Sequence, residues 1–280
     1  MQSASTLNLN KTERTVASID GQLGSLSVRL AQVQNEVRQA QRLRYRVFCE
    51  ELSAKPDIVS RMFRRDIDRY DAQFDHLLIN DISSPSNQKL VGTQRFQVQT
   101  GDCPASAFYS NNEFNIKPLL ARHPKLRFME LGRSCILPEY RDKRTMELLW
   151  HGTWDYALQM QVDVMFGCAS FQALTVEEIA PQLALLSQTP QASGEWAVTP
   201  RNCNAVELKS LQKKFPVDRK ASRKLPPLIK GYLRLGAMFS THAVKDSRFG
   251  TFDVLVVLPV ENINPRYISH YGSNADRHRS

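Results

Sequence analysis

Four short segments carry the side chains best suited to chemistry: Arg44 with Phe48, then Asp68-Arg69-Tyr70-Asp71, then Arg95-Phe96, and last Glu130-Leu131-Gly132-Arg133. Guanidiniums and carboxylates grip ionic groups through charge-assisted hydrogen bonds, and a carboxylate can also accept a proton. Each segment alone has a plainer explanation. Arg44 and Phe48 are i,i+4 neighbours, which fits a core Phe beside a solvated Arg, and Asp68 and Asp71 fit ordinary turn positions. Other chemistries are not indicated. The five Cys (49, 103, 135, 168, 203) lie at least 32 residues apart, so reduced thiols are expected rather than a zinc knuckle or a disulfide framework. No His-Glu-x-x-His, Gly-x-Ser-x-Gly or phosphate-loop motif occurs, and no metal site is expected.

Strands and helices must bring these segments together. After a polar arm assigned to residues 1–24, Leu26, Val28 and Leu30 alternate as in a strand, and Asn35 is positioned to cap a helix running to about Leu52. A short basic helix is predicted at 57–66. Strands are predicted at 76–82, 89–98 and 126–137, with a loop-rich insertion before the third. The longest helix spans 142–160. A buried strand at 163–171, a helix at 175–187, a weak strand at 206–211, a helix at 225–237 and an apolar strand at 252–260 follow. This order indicates an α/β (α+β) fold, a mixed sheet with helices on both faces, in one domain over 25–272 before a tail at 273–280.

Taken in order, Arg-x-x-x-Phe, Asp-x-Tyr-Asp, Arg-Phe and Glu-x-x-Arg resemble the signature of acyl-homoserine-lactone synthases, which belong to the Gcn5-related N-acyltransferase (GNAT) superfold. One position departs: those enzymes place a Trp six residues after the Phe, where this chain has Ala54. A fuller resemblance is to the ornithine N-acyltransferases of bacterial ornithine-lipid synthesis. RLRYRVFCEE, DRYDAQFDHLLI, ELGRSCILPEYR, LLWHGTWDYAL, FGCASF and LPPLIKGYLRLGA all look like blocks of that family. The resemblance implies a mixed, twisted GNAT sheet. It also implies transfer of a 3-hydroxyacyl group from acyl carrier protein to the α-amine of L-ornithine, giving lyso-ornithine lipid. A lactone synthase or another N-acyl amino acid synthase is the alternative.

That chemistry needs a base, an oxyanion donor and a cradle for phosphopantetheine. Glu130 is the candidate base, with Arg133 and Ser134 completing the catalytic set. Side chains alternate along a strand, so Glu130 and Arg133 share a side only if the strand bulges, and Gly132 is the expected place. The bulge would free N–H groups near Ser134 to Ile136 for the thioester oxygen. Acyl-CoA users of the superfold wrap a pyrophosphate with a glycine-bearing turn; here the turn reads Arg141-Asp-Lys143-Arg144-Thr-Met146, and its basic residues are assigned to the single phosphodiester of phosphopantetheine. No separate cofactor is expected, because that arm travels on the carrier. Arg44, Arg95 and Arg133 are candidates for the acceptor carboxylate and Asp68 or Asp71 for its distal ammonium; an ion-pair network among them is equally open. Phe48, Phe96, Phe128 and Phe166 are available for an acyl groove.

The 280 residues, 42% hydrophobic, suffice for one sizeable core, and the mean hydropathy of −0.39 with no long apolar run excludes a membrane-spanning helix. The polar first residues lack the apolar stretch of a secretory signal, so a cytoplasmic protein is expected. Net charge is +9, and Lys209 to Arg234 holds nine basic residues against the single Asp218. Such a segment suits an acidic carrier protein or an anionic membrane surface, with peripheral attachment at the inner face. Nucleic acid is not favoured, since aromatics are sparse there.

Overall fold

Hydrophobic alternation and turn chemistry assemble a large sheet in the computed structural model, which describes residues 19–83, 89–215 and 219–263. The strands in chain order are β1 (Gly21–Leu23), β2 (Leu26–Leu30), β3 (Asp75–Asp81), β4 (Lys89–Thr100), β5 (Phe114–Asn115), β6 (Arg127–Ile136), β7 (Val164–Gln172), β8 (Thr199–Pro200), β9 (Val206–Glu207), β10 (Met238–Phe239), β11 (His242–Asp246) and β12 (Thr251–Pro259). The main sheet runs β1-β2-β3-β4-β6-β7-β12-β11-β9, with β10 also on β12, while β5 and β8 pair separately. All neighbours in the main sheet are antiparallel except β6 and β7. The helices are α1 (Gln34–Tyr45), α2 (Ile58–Phe63), α3 (Lys117–Arg122), α4 (Lys143–Gln159), α5 (Ala180–Leu186), α6 (Leu208–Gln212), α7 (Arg219–Lys224) and α8 (Pro227–Leu235).

β4 shows why helices occupy both faces. Gln94 accepts from Thr153 and Phe96 packs 4.8 Å from Tyr156, both on α4, whereas Arg95 between them turns toward the α1 side. α4 begins where Asp142 accepts a hydrogen bond from the Thr145 N–H, and α8 starts at Pro227 and stops at Gly236, whose φ of +86° suits a residue without Cβ.

Several expectations shift. Residues 21–23, assigned to the N-terminal arm, pair as β1 with β2, and Ile19 is buried. Val33 rather than Asn35 precedes α1, and Arg46–Glu51 continues that helix as a π-helix, a geometry associated with functional sites. VELKSL turns from β9 into α6 after two residues. The helix expected at 175–187 starts only at Ala180, and the β10 and β11 strands had no clear sequence signal. The tail at 273–280 lies outside the described residues, as do Asp218 and the side chains of Arg219 and Lys220.

Candidate active site

The parallel pairing of β6 with β7 creates the cleft. β6 and β7 pair only from Phe128–Val164 to Glu130–Phe166, after which β6 follows β4 and β7 follows β12. At the vertex a Cβ on Gly167 would sit 2.3 Å from the Leu131 carbonyl oxygen, so the close approach requires glycine. Between the diverging strands lies a cavity of about 330 Å³ lined by Leu131 to Ser134 on one wall and Cys168 to Ser170 on the other. Peptide groups of β6 beyond Glu130 have lost β7 as a ladder partner, so those facing the cavity can meet a ligand.

β6 bulges, one residue later than expected. Gly132 stays in register with Arg95, and Arg133 and Ser134 together stand opposite the single Gln94. Arg133 takes the left-handed φ of +52°, a costly conformation for a residue with Cβ, and its guanidinium is held between the rings of Tyr109 and Phe249 at 4.5 and 4.6 Å. Glu130, Arg133 and Ser134 all line the cleft.

The arginines and aspartates bind one another. Arg44 pairs with Asp66 at 3.0 Å and Asp71 at 2.8 Å, and Arg95 with Asp68 at 2.7 Å and Asp71 at 2.8 Å. Arg133 meets Asp66 and Asp68 at 3.1 Å each, and Arg248 meets Asp66 at 3.1 Å. Burial opposes every one of these charges, yet the neighbouring guanidiniums prevail and hold the Asp71 carboxyl down to about 2 and lower those of Asp66 and Asp68. His76 Nε2–H donates to the Asp71 carbonyl, 3.1 Å away, and burial, with Arg44 nearby, pushes its pKa down to about 4. Arg44 is fully enclosed and does not reach the cleft, whereas Arg95 and Arg133 line it. Asp68 and Asp71, expected at an ammonium, already have two arginines each.

Glu130 is buried on the face covered by the loop-rich insertion. Its Oε2 accepts from the Tyr109 N–H at 2.7 Å, and its Oε1 accepts from the Ser110 N–H and hydroxyl at 2.6 and 2.5 Å. Burial raises its pKa against the pull of those donors. Of the four phenylalanines expected in an acyl groove, Phe48 lines the cleft, 5.5 Å from Phe249, while Phe96 packs on Tyr156 and Phe128 and Phe166 join Phe108 in a second core cluster. Leu52, Ala54, Leu228 and Tyr232 supply the other apolar lining. Arg141 is tied to Glu51 through two contacts of 2.5 and 2.7 Å and to the Ile136 carbonyl, while Lys143 and Arg144 are exposed at the start of α4; none of the three lines the cleft.

The sequence did not point to the acidic end of this cleft. Asp246 and Asp253 line it, and Glu113 and Cys168 stand beside Asp253 with their ligand atoms within 4.8 Å of one another, a grouping of donors where no metal-binding cluster was expected. Burial, then Asp253 and Asp246, raise the Glu113 pKa well above the carboxylate range, and burial pushes Asp253 up to about 6. Asp253 had a legible signal as the one charge in the apolar strand TFDVLVVLP; Glu113, Asp66 and Arg248 had none.

The Acetyltransferase (GNAT) domain family model matches residues 43–151, a span that covers the arginine–aspartate segments, β6 and the start of α4. An L-ornithine N(alpha)-acyltransferase of Agrobacterium fabrum is 47% identical over 277 residues, covering 96% of this chain and 92% of that protein. Proteins of the same name are 44% identical in Brucella abortus, over 93% of this chain and 94% of that protein, and 47% identical in Rhizobium meliloti, over 93% and 88%. With identity at this level along the whole cleft-forming chain, this protein is an acyltransferase of the GNAT fold and belongs to the L-ornithine N(alpha)-acyltransferase family.

Proposed function

We propose that this enzyme transfers a 3-hydroxyacyl group from acyl carrier protein to the α-amine of L-ornithine, forming lyso-ornithine lipid. The observation that carries this reading is the near full-length similarity to proteins named for ornithine acylation. The thioester lies between the splayed strands, where peptide N–H groups of β6 near Ser134 meet the developing oxyanion. Glu130 takes the proton from the attacking amine: it lines the cleft, burial strengthens its hold on a proton, and only one donor meets its Oε2. Arg95 and Arg133, fixed by their aspartates, present positive charge to the acceptor carboxylate. Lys143 and Arg144, at the start of α4, receive the phosphodiester. No dissociable cofactor enters the scheme, since phosphopantetheine arrives on the donor.

The acidic carrier docks on the basic segment at 209–234. Lys209, Lys213, Lys214, Arg223, Lys224 and Arg234 are exposed there, and Pro226, Leu228 and Tyr232 of the same segment line the cleft. No helix among the described residues is long and apolar enough to cross a membrane. Peripheral attachment to an anionic membrane is supported by α2, where Ile58 and Met62 are each 71% exposed beside exposed Val59 and Phe63, with Arg61, Arg64 and Arg65 among and after them.

The test is incubation of the purified enzyme with 3-hydroxyacyl carrier protein and single amino acids or S-adenosylmethionine, followed by mass spectrometry. N-acyl ornithine is expected. A homoserine lactone would overturn the acceptor, and equal use of the matching acyl-CoA would overturn the donor.

A further inference from the structure

Glu113 sits immediately after the 3-10 helix Tyr109–Asn112 and is 9% exposed, with both carboxyl oxygens enclosed and meeting only the Cys168 thiol and the Asp253 carboxyl, with no cationic partner. It faces Asp253 of β12 and the thiol of Cys168 on β7. Asp253, 5% exposed, accepts one hydrogen bond from the Thr251 hydroxyl at 2.8 Å. Asp246 at the end of β11 accepts from the N–H groups of Arg248 and Phe249 at 2.7 and 3.1 Å. Among the described residues none of these three carboxyls takes part in an ion pair. Buried carboxyls without a counter-charge destabilise a fold, and an orphaned one beside a cleft is explained when a ligand cation completes it.

We propose that Glu113 and Asp253 hold the side-chain ammonium of the amino-acid acceptor, and so select a diamino acid over neutral amino acids, a role that rests on the acceptor assigned under the proposed function. A primary ammonium has three donors and no acceptor, which matches two facing carboxyls and the neighbouring Asp246. The cleft is polarised to suit such a molecule: Arg133 projects from the β6 wall, while Asp253 and Cys168 belong to the β7–β12 wall. An ammonium suits this grouping without the loss of a thiol proton: burial, then Glu113 and Asp253, raise the Cys168 thiol, which points a hydrogen bond at the Ser110 hydroxyl, 3.5 Å away.

The experiment compares wild type with Glu113→Gln and Asp253→Asn, using ornithine and norvaline, which lacks the distal amine. Acyl transfer is measured from 3-hydroxyacyl carrier protein, and thermal shift is measured with the amino acid alone. Each variant is expected to lose roughly 100-fold in kcat/KM for ornithine, so that the ornithine to norvaline preference collapses. The ornithine-dependent rise in Tm should vanish while the unliganded variants melt no lower than wild type; if one variant does not fold, the other decides. A preference that survives in the variants overturns the proposal. So does loss of wild-type turnover in EDTA with recovery on adding Mn²⁺ or Zn²⁺, which would make the cluster a metal site. Wild type stabilised by ornithine and not by norvaline, yet transferring no acyl group to it, would remove the acyl-transfer function and leave this site standing. Wild type that responds to neither ornithine, lysine nor 2,4-diaminobutyrate would remove the site itself.

Discussion

Two groups of buried charge flank one cleft, and they are built on opposite terms. In the first, Arg44, Arg95, Arg133 and Arg248 interleave with Asp66, Asp68 and Asp71, so every carboxylate has at least two guanidiniums within 3.1 Å. In the second, Glu113 and Asp253 face each other without a basic partner, and the Glu113 carboxyl meets only the Cys168 thiol and the Asp253 carboxyl. The charge-paired network fixes geometry: it joins α1, the 66–71 turn, β4, the β6 bulge and the β11–β12 hairpin. The second pair has no counter-charge, and under the proposal above a cationic substrate supplies it. Residues of identical chemical type thus serve as framework or as site according to whether their charge is already cancelled.

The largest effect should come from breaking the network. Arg44→Ala leaves Asp66 and Asp71 buried without their shared guanidinium and should cost about 3–5 kcal/mol in urea unfolding. A loss below about 1 kcal/mol would show that the network is not a framework. Glu130, which stands between the two regions, should be next: Glu130→Gln is expected to cut turnover by roughly 10²–10⁴ while the protein remains folded by circular dichroism, and near-normal turnover would remove it as base.

The two regions should also respond to pH with opposite signs. Native His76 resists protonation until about pH 4, whereas the unfolded chain takes that proton near pH 6.5, so stability falls as pH drops through this window. Asp71, depressed to about 2, adds a further loss on the order of 2 kcal/mol between about pH 4 and pH 2. Asp253, raised to about 6 beside Glu113, Asp246 and Cys168, works the other way, and its contribution is lost as pH rises through 6. His76 and Asp253 therefore oppose each other between about pH 4 and 6, so denaturation midpoints should fall most steeply below about pH 4, and Asp253→Asn should leave the His76 slope uncompensated over about pH 4 to 6. An unchanged profile between about pH 4 and 6 would show that Asp253 is the wrong group.

The smallest change lies outside both regions. Met62→Asp with Phe63→Asp should weaken binding to anionic vesicles by roughly tenfold and leave unfolding within about 0.5 kcal/mol of wild type. Unaltered vesicle binding would take α2 out of the membrane contact.

Legibility in the sequence followed locality. The α4 boundaries could be read because Asp142 caps and the apolar face repeats, and β7 and β12 because apolar runs of that length have one sheet solution. Arg44, Asp68, Asp71, Arg95 and Arg133 could be singled out by type and order, but not which charge cancels which, since the partner Asp66 was read as the end of a basic helix that stops at Phe63 and Arg248 comes from a turn with no periodic signal. The bulge could be anticipated from the need to turn Arg133 toward Glu130's side, yet glycine at 132 misdirected its position because Arg133 itself accepts the left-handed conformation. Glu113 was illegible for a different reason. It lies in an irregular insertion whose path over β6 is set by tertiary contacts, among them the two N–H donors that Glu130 captures.

The contact between Arg248 and Asp66 spans 182 positions of chain. A chain emerging from the ribosome makes α1, β3, β4, β6 and α4 long before the β11–β12 hairpin exists, and domains settle from the N-terminus as they appear. Until Arg248 arrives, Asp66 lacks one of its three guanidiniums and the β7 edge that β12 will cover stands open. The cleft is therefore the last part of the molecule to be completed in time, and a nascent chain stalled before residue 248 would carry most of the sheet with one wall of that cleft missing.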